Sequence, residues 1–339
     1  MRKKLFLNFL KKNGLDKVGI KPIKSDASFR KYYRIISNNK PLIIMDAPPE
    51  YENIELFITL SKVLNKIGLS APKIIFSDIK NGFALIEDFG DNTYNYMLDR
   101  QFNEEKLYEA AIDVLVCLNK KKNLFLSYNK INEFSETRIL NEVCIFLDWA
   151  FPLYLGSEID KYKRLEYIEI WKNIIPLMNN YNNSIVHFDF HVDNLIWLPK
   201  RQGVKKVGLL DFQDAVLGPS VYDLVSILKD VRREISKNLE EKMIDRFLGK
   251  IEGCKNNFYL SYHSIGAQRN TRIIGVFCRL LVRDNNSSYL SFLPRAWELL
   301  NQSLDEPALI EVKKWFNKNI PSEIKSLSNK EDINKRLDG

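Results

Sequence analysis

The sequence predicts an α/β (α+β) protein in which a small antiparallel β lobe is followed by a larger helical lobe. Between residues 18 and 47, apolar and polar side chains alternate in short runs separated by polar turns, which is typical of β-strands. Residues 93–179 and 256–316 instead carry apolar side chains at helical spacing. A further pair of short apolar runs, within residues 187–216, has acidic and amide side chains at its edges. The chain of 339 residues is long enough for both lobes.

Composition and charge exclude several classes of protein. The chain is 45% hydrophobic but has no run of roughly 18 apolar residues, so we expect a globular protein without a membrane partner. The N-terminal apolar run is too short for a secretory signal, and a cytoplasmic location is expected. The lysines behind the net charge of +8 are interspersed with acidic residues, which gives no nucleic-acid-binding signature. We also expect a monomer.

The four cysteines, Cys117, Cys144, Cys254 and Cys278, are far apart in the sequence and form no paired metal motif. Each lies in an apolar, helix-like context. We therefore expect buried free thiols.

The small lobe is predicted over residues 1–90. Its first helix places apolar residues on one face between lysines, and a later amphipathic helix ends at Gly68. β-branched and aromatic residues between turns predict a three-stranded meander and then a hairpin that ends at a hinge near residue 90. The predicted elements are a helix at 3–12, strands at 18–24, 29–37 and 41–47, a helix at 50–67, and strands at 73–78 and 83–88.

The helical lobe is predicted over residues 91–320, and residues 321–339 are expected to form a polar, frayed tail. Ser220 and Asp223 form a near capping box, which predicts that a helix starts there. The other predicted helices lie at 94–98, 104–119, 133–151 and 158–178, and again within 256–316.

The two apolar runs at 195–198 and 207–210 predict a hairpin that brings Asn194 close to Asp211. Carboxylate and amide oxygens are hard ligands, and Mg²⁺ is held on nucleotide phosphates by one or two such groups. Asp189, five residues before Asn194, is then available to accept the proton of an incoming hydroxyl, as in kinases. The stretch therefore predicts Mg²⁺-dependent phosphoryl transfer.

These residues also resemble a known family. His187, Asp189 and Asn194 match the His, any, Asp, four residues, Asn pattern of the aminoglycoside phosphotransferases, and Asp211 stands where that family has its metal-binding aspartate. The stretches "SDASFRKYYRI", "LIIMDAPPE", "ALIEDFGD" and "LLDFQDAVLGPSVYDLVSIL" are similar to a sugar-kinase branch, the anomeric N-acetylmuramate/N-acetylglucosamine kinases. The resemblance spans residues 5 to 318.

The resemblance implies a two-lobed protein-kinase-like fold with ATP between the lobes and Mg²⁺ on its phosphates. It also implies that the substrate is a small sugar, phosphorylated on its anomeric hydroxyl in cell-wall recycling. Two other interpretations stay open: a kinase of an aminoglycoside or another small alcohol, and a nucleotide-binding pseudokinase scaffold. An aminoglycoside pocket should be strongly acidic, and the sequence has no obvious acidic cluster.

The phosphate-binding cation is the weakest match to the kinase pattern. Met45 and Asp46 stand in the third strand about where a protein kinase carries its lysine. Arg30 and Arg34 on the preceding strand are candidates for the missing cation, or else solvated strand charges. Glu52 or Glu55 could face such a cation, although an exposed helix glutamate is the simpler interpretation.

Further nucleotide contacts are predicted at the turn and at the hinge. The small side chains of Ser25 and Ser28 would let backbone amides approach phosphates, unless the segment is a simple hairpin turn. The resemblance implies that Glu87 and Phe89 offer main-chain groups to adenine. The sequence without this resemblance indicates only a linker between two domains.

His187 is expected to brace the loop that holds Asp189, since no third partner at metal-site spacing completes a zinc site with His191. The resemblance adds that Asp223 braces the same loop. Candidate acceptor-binding residues are Glu142, Asp148 and Trp149 on a predicted helix, His191 and Asp193, and the arginines Arg269, Arg272, Arg279 and Arg283, of which we select Arg279.

Overall fold

A computed structural model describes residues 2–23, 29–37, 39–128, 131–329 and 331. In this part of the chain the α-helices are α1 (Arg2–Lys12), α2 (Ile54–Lys66), α3 (Tyr94–Asp99), α4 (Glu104–Lys120), α5 (Lys122–Tyr128), α6 (Glu136–Ile145), α7 (Phe151–Leu155), α8 (Lys161–Met178), α9 (Tyr222–Leu228), α10 (Lys237–Leu248), α11 (Lys255–Asp284), α12 (Leu293–Ser303) and α13 (Ile310–Asn319). The strands are β1 (Ile20–Ile23), β2 (Lys31–Ser37), β3 (Lys40–Asp46), β4 (Ile74–Asp78), β5 (Phe83–Glu87), β6 (Asn183–Val186), β7 (Leu195–Trp197), β8 (Val207–Leu209) and β9 (Val216–Pro219).

The chain forms two compact units, and each unit is built from two separate segments of the sequence. Unit 1 comprises Met1–Ile131 and Val192–Ala215, and unit 2 comprises Asn132–His191 and Val216–Gly339. Unit 1 contains the five-stranded sheet, and unit 2 contains most of the long helices. The functional boundary near residue 90, with lobes at 1–90 and 91–320, stays a prediction.

Unit 1 is built on an antiparallel sheet with the strand order β1-β2-β3-β5-β4. Side chains alternate across it, so that Ile44 and Leu85, which are paired, enter a core with Phe9 and Leu10 of α1. The predicted meander, the hairpin and the N-terminal helix are thereby confirmed. The opposite face of the sheet carries Ile43, which lines a cleft described below.

Helix α2 begins four residues later than the apolar periodicity predicts. The Asn53 side chain caps it by accepting a hydrogen bond of 3.0 Å from the Leu56 N–H. The helix ends just before Gly68, whose φ of +92° a side chain would strain. Between these two signals the apolar face is buried, as periodicity predicts.

Unit 2 is organised around α11, which packs against α6, α8, α9 and α12. The helix predicted at 133–151 is present from Glu136 to Leu155 and contains a π-helical turn: Ser135 caps α6, the turn runs from Phe146 to Ala150, and α7 follows directly. Gly275 of α11 lies directly against the start of that turn. Close approach of the two helices therefore depends on a residue without a side chain.

Three smaller expectations are corrected. Ser322–Ser326 forms a 3₁₀ turn that buries Ile324 completely, so the fraying expected of the tail does not apply to these residues. All four cysteines are free thiols, but only Cys278 is buried: Cys117 and Cys144 are half-buried, and Cys254 is exposed just before α11. Helix α9 begins at Tyr222 without a side-chain cap, so the capping-box interpretation of Ser220 and Asp223 was wrong.

In the described residues we find no helix that is both long enough and apolar enough to span a membrane.

Replacing Gly275 with Ala should destabilise the protein, although Gly to Ala in a helix interior normally stabilises by roughly 0.5–1 kcal/mol. An added Cβ would lie 2.6 Å from the Phe146 nitrogen and 2.7 Å from the Ile145 carbonyl carbon, both backbone atoms. We expect a net loss of about 1–3 kcal/mol in denaturant unfolding, because overpacking forces the backbone apart. Val282→Ala, an exposed position of the same helix, should change stability little. A Gly275→Ala protein as stable as the unaltered one would contradict the tight contact.

Candidate functional site

The predicted hairpin is present in unit 1. Leu195 pairs with Leu209 and Trp197 with Val207, and all six strand residues are buried. At the open end of the ladder, the Leu210 N–H donates a 2.9 Å hydrogen bond to the Asn194 carbonyl. Asn194 and Asp211 therefore leave the paired strands at the same end, as the sequence predicts.

Asp211 adopts a left-handed backbone conformation, with φ of +58°. Its Oδ1 accepts a hydrogen bond from Gln213 Nε2 at 2.9 Å and lies 3.1 Å from Arg30 Nη2. Residues other than glycine are uncommon in this region, and Asp and Asn are the usual exceptions. In this conformation the carboxylate lies beside Arg30, which directly precedes β2.

A cleft of about 410 Å³ lies within unit 1 and has an apolar interior with polar ends. The sheet contributes Ile43 and Ile86, and the hairpin contributes Ile196. At one end lie Asn194, Asp211 and Arg30, and the predicted hinge residues form another part of the wall. A cleft of this kind suits a flat apolar base that carries an anionic group.

Arg30 is nearly buried, at 9% exposure, and lines the cleft together with Tyr32 and Arg34. Its guanidinium lies 3.3 Å from a carboxylate oxygen of Glu52 as well as 3.1 Å from Asp211. Burial alone would lower the pKa of Arg30, but Tyr32 and the two carboxylates outweigh it and raise the pKa. The arginine therefore stays charged at the polar end of the cleft.

The third strand offers no cation at its cleft-facing positions. Side chains alternate along β3, so Met45 shares the face of Ile43, whereas Asp46 faces the side covered by α1. Asp46 accepts a 2.8 Å hydrogen bond from Arg2 Nε of that helix. The residues that stand where a kinase lysine is expected thus have packing roles.

Arg34 is held by two carboxylates of the predicted hinge. Its guanidinium donates hydrogen bonds to Asp88 at 2.6 and 3.1 Å and to Asp91 at 2.8 Å twice. These bonds from Arg34 lower the pKa of the Asp91 carboxyl. The geometry therefore places Arg34 as a link between β2 and the hinge.

Glu87 and Phe89 both line the cleft. The Glu87 carboxylate is paired with Arg201, whose guanidinium also lies 5.0 Å from the Phe89 ring centroid. Gly208 of β8 allows the Phe89 ring to approach, since a Cβ there would lie 2.7 Å from it. Arg201 was not singled out from the sequence, because nothing local marks a turn arginine as a hinge contact.

Among the residues that the structure describes, no three His, Cys, Asp or Glu side chains gather as a metal site. A carboxylate and an amide side by side at the cleft are nonetheless a suitable donor set for Mg²⁺, which takes few protein oxygens and keeps several waters. Asn194 and Asp211 fit that requirement by chemistry and position. Ser25 and Ser28 lie outside the described residues.

In unit 2, the loop after β6 carries Asp189 between two buried phenylalanines, Phe188 and Phe190. Asp223 accepts hydrogen bonds from the backbone N–H groups of His187 at 2.5 Å and Phe188 at 3.0 Å. Phe188 has a φ of +82°, which a bulky residue adopts only when its surroundings impose it. Asp189 itself is partly exposed.

His187 and His191 are both buried. The His187 ring packs edge-on against Phe190, with centroids 5.6 Å apart. Burial lowers the pKa of His191 well below its usual value, and Arg232 contributes in the same direction. His191 is therefore a neutral imidazole near neutral pH, whereas Asp193, in unit 1, is partly exposed.

The carboxylate of Glu142 on α6 is buried and interacts with several polar side chains of unit 2. It accepts hydrogen bonds from Arg138 Nε at 3.1 Å and Gln268 Nε2 at 2.9 Å, and lies 3.9 Å from Arg272 Nε. Arg138 was missed in the sequence, although its spacing of four residues from Glu142 on a predicted helix is a usable signal. Arg279, the selected arginine, lies seven residues past Arg272 on α11 and is partly buried.

The sequence model of the phosphotransferase enzyme family matches residues 19–254. The N-acetylmuramate/N-acetylglucosamine kinase of Caulobacter vibrioides is 33% identical, over 93% of this chain and 96% of the relative. The kinase of that name from Pseudomonas aeruginosa is 30% identical, over 86% of each chain.

Solved structures are similar in fold at low sequence identity. A choline kinase from Streptococcus pneumoniae has a TM-score of 0.59 at 12% identity, over 91% of this chain and 98% of that chain. The GDP complex of an aminoglycoside 2′-phosphotransferase has a TM-score of 0.58 at 14% identity, over 89% and 98%. These similarities confirm the predicted protein-kinase-like fold.

Replacing Asp223 with Asn should remove a pH dependence of stability. Burial raises the pKa of Asp223 from 3.8 to about 7, so between these values the folded protein holds a proton that the unfolded chain has lost. The resulting stabilisation is complete below about pH 4 and is lost as the pH rises through about 7, which amounts to roughly 2 kcal/mol between about pH 5.5 and pH 8.5.

Denaturant unfolding across that range should therefore show a larger loss of stability for the unaltered protein than for Asp223→Asn as the pH rises to about 7, with little further difference above that pH. Parallel curves for the two proteins would mean that the carboxylate is ionised throughout, as its two backbone N–H donors alone would favour.

Proposed function

This chain belongs to the phosphotransferase enzyme family, and from that premise we propose that it transfers the γ-phosphoryl group of ATP to the anomeric hydroxyl of N-acetylmuramate or N-acetylglucosamine. The observation that carries the proposal is that Asn194 and Asp211 leave the β7–β8 hairpin at the same end and line the cleft that also contains the predicted hinge residues. The names of the relatives support the choice of sugar. The product, a sugar 1-phosphate, fits the recycling of cell-wall sugars.

The nucleotide binds in the cleft of unit 1. Main-chain groups of Glu87 and Phe89 meet the adenine edge, and the isoleucines of the sheet and hairpin cover its faces. Arg34 keeps the hinge in place through Asp88 and Asp91 rather than binding phosphate. Ser25 and Ser28 are proposed to offer backbone amides to the phosphates.

Arg30 supplies the phosphate-binding cation in place of the lysine of other kinases. Arg30 is buried, charged and placed between Glu52 and Asp211. Glu52 thus positions Arg30 in the way that a helix glutamate positions the third-strand lysine of protein kinases. Its planar guanidinium suits bidentate contact with phosphate oxygens. The missing third-strand lysine therefore does not favour the pseudokinase interpretation.

Asn194 and Asp211 would hold Mg²⁺. When bound, the ion would neutralise part of the negative charge of the nucleotide phosphates. Asp211 is held in its left-handed conformation near Arg30, so the carboxylate is oriented before nucleotide binds. Preorganised charge of this kind is where most of the barrier reduction is expected.

Asp189 accepts the proton of the acceptor hydroxyl. As the anomeric oxygen forms its bond to the γ-phosphorus, the bond to the leaving ADP oxygen breaks. Asp223 and His187 keep the Asp189 loop in its strained conformation. Neutral His191 and the side chains of Asp193, Glu142 and Arg279 remain proposed acceptor contacts, and a cytoplasmic monomer remains the expected form.

Replacing Asp189 with Asn should lower kcat by about 10²- to 10⁴-fold, the range for loss of a general base. We would measure ATP- and Mg²⁺-dependent phosphorylation of N-acetylmuramate, N-acetylglucosamine, an aminoglycoside and choline, with phosphorus NMR of the product. An acid-labile anomeric phosphate is expected. Nucleotide affinity should be unchanged in the variant, because Asp189 is not among the residues that line the cleft. Turnover of choline or aminoglycoside alone would discard the sugar and retain the mechanism.

Replacing Arg30 with Gln should reduce kcat/KM for ATP by about 100-fold, in line with loss of a charge-assisted contact worth 1.5–3 kcal/mol. Arg30→Lys should recover part of this loss, since it keeps the charge but not the planar fork. Lys31→Gln is the matched control: it removes one positive charge from the next residue, which is exposed on the other face of β2. Equal effects of Arg30→Gln and Lys31→Gln would indicate only a general charge effect.

A further inference from the structure

We propose that Arg138 and Arg272 bind the carboxylate of an anionic acceptor next to Asp189, and so determine the preference for N-acetylmuramate over N-acetylglucosamine. The inference rests on the proposed function. It assigns a specificity role to two side chains of unit 2 that contact the same phenylalanine, Phe188, which directly precedes Asp189 in the chain.

The two guanidinium groups are placed together. The Arg138 and Arg272 guanidinium carbons lie 4.0 Å and 4.9 Å from the centroid of the Phe188 ring. That ring is fixed from another side by Tyr222, which stacks on it with centroids 4.9 Å apart and an interplanar angle of 10°. Because the Phe188 backbone is held by Asp223, the two arginines are fixed relative to Asp189.

Glu142 positions both arginines. This single carboxylate, at 8% exposure, lies between Arg138 at 3.1 Å and Arg272 at 3.9 Å, and Gln268 adds a third contact. The side chains of Arg138 and Arg272 are 30% and 24% exposed, so the pair remains accessible while its partner is buried. Two guanidinium groups that share one carboxylate are suited to receive a second one, because arginine binds carboxylates bidentately.

The charge balance around the loop favours a monoanion. Four arginines, Arg138, Arg232, Arg269 and Arg272, face the carboxylates of Glu142, Asp189 and Asp230. The fourth acidic group of this loop, Asp223, is buried, which raises its pKa to about 7, so the arginines are in excess while Asp223 holds its proton. Burial lowers the pKa of Arg269, and the like charges of Arg272 and Arg232 act in the same direction. An acceptor with one negative charge relieves this excess, whereas a polycationic aminoglycoside would add to it.

N-acetylmuramate differs from N-acetylglucosamine by a lactyl ether that carries one carboxylate, so the pair of sugars isolates the proposed contact. In Arg272→Met and in Arg138→Met, kcat/KM for N-acetylmuramate should fall about 10- to 100-fold, as for loss of a hydrogen bond to a charged group. With N-acetylglucosamine the change should stay below about threefold. The methyl ester of N-acetylmuramate, which removes the charge and adds only one methyl group, should be a poor substrate already for the unaltered enzyme, whereas the primary amide tests the loss of charge at nearly the same size.

Arg295→Met is the control variant, because Arg295 is a 22% exposed, ion-paired arginine of α12 in the same unit. It should leave both sugars unaffected. Equal losses on both sugars in Arg138→Met and Arg272→Met would show a structural role and overturn the inference. Equal turnover of N-acetylmuramate and its methyl ester by the unaltered enzyme would overturn the inference but leave the proposed function intact. Turnover of neither sugar by the unaltered enzyme would overturn the function itself.

Discussion

The hydrogen bond from the Leu210 N–H to the Asn194 carbonyl, 2.9 Å long, closes the β7–β8 ladder at the position from which both proposed metal ligands leave it. The register behind that bond is fixed by burial, because Leu195, Trp197, Val207 and Leu209 all lie in the core. A slip of one residue would turn each of these side chains, and Asp211, to the other face of the hairpin, where Ile196 lines the cleft. The apolar strands therefore specify the position of a polar site that none of their own side chains forms.

Each unit contains a residue with a positive φ that is held in place by polar contacts. In both cases this residue has a proposed chemical role or directly precedes a residue that has one. In unit 1 that residue is Asp211, in contact with Gln213 and Arg30. In unit 2 it is Phe188, fixed by the carboxylate of Asp223. Strain of this type costs of order 1–3 kcal/mol and persists only where the surroundings over-determine it. The free-energy cost of these backbone conformations is therefore offset during folding, so the neighbouring functional side chain is already oriented before any substrate binds.

Periodicity and turn residues were sufficient to predict the sheet, α2, the β7–β8 hairpin and the helical character of unit 2, because each of these patterns can be read from residues that are near one another in the sequence. Asp223 shows where such reasoning fails. A local rule assigned it to a helix cap, but its carboxylate contacts His187, 36 positions away, and α9 starts without a cap. Glu142 is a related case, since its partner Gln268 is 126 positions away. The even spacing of Arg30 and Arg34 puts them on the same side of the chain in an extended strand. The sequence does not show that Arg30 contacts Asp211 whereas Arg34 contacts Asp88, because both contacts depend on tertiary packing.

The absence of a cation at the cleft-facing positions of β3 has a physical explanation in the packing of unit 1. Met45 is completely buried there, so a lysine at that position would have to place its charge in an apolar environment. Arg30, just before β2, lies between the carboxylates of Glu52 and Asp211, which raise its pKa against the effect of burial. Because a guanidinium presents five donors in a fixed fork, one arginine can contact both acids at once, which suits it better than lysine to this position. Moving the charge to the neighbouring strand therefore keeps a cation at the cleft while β3 stays apolar on that face.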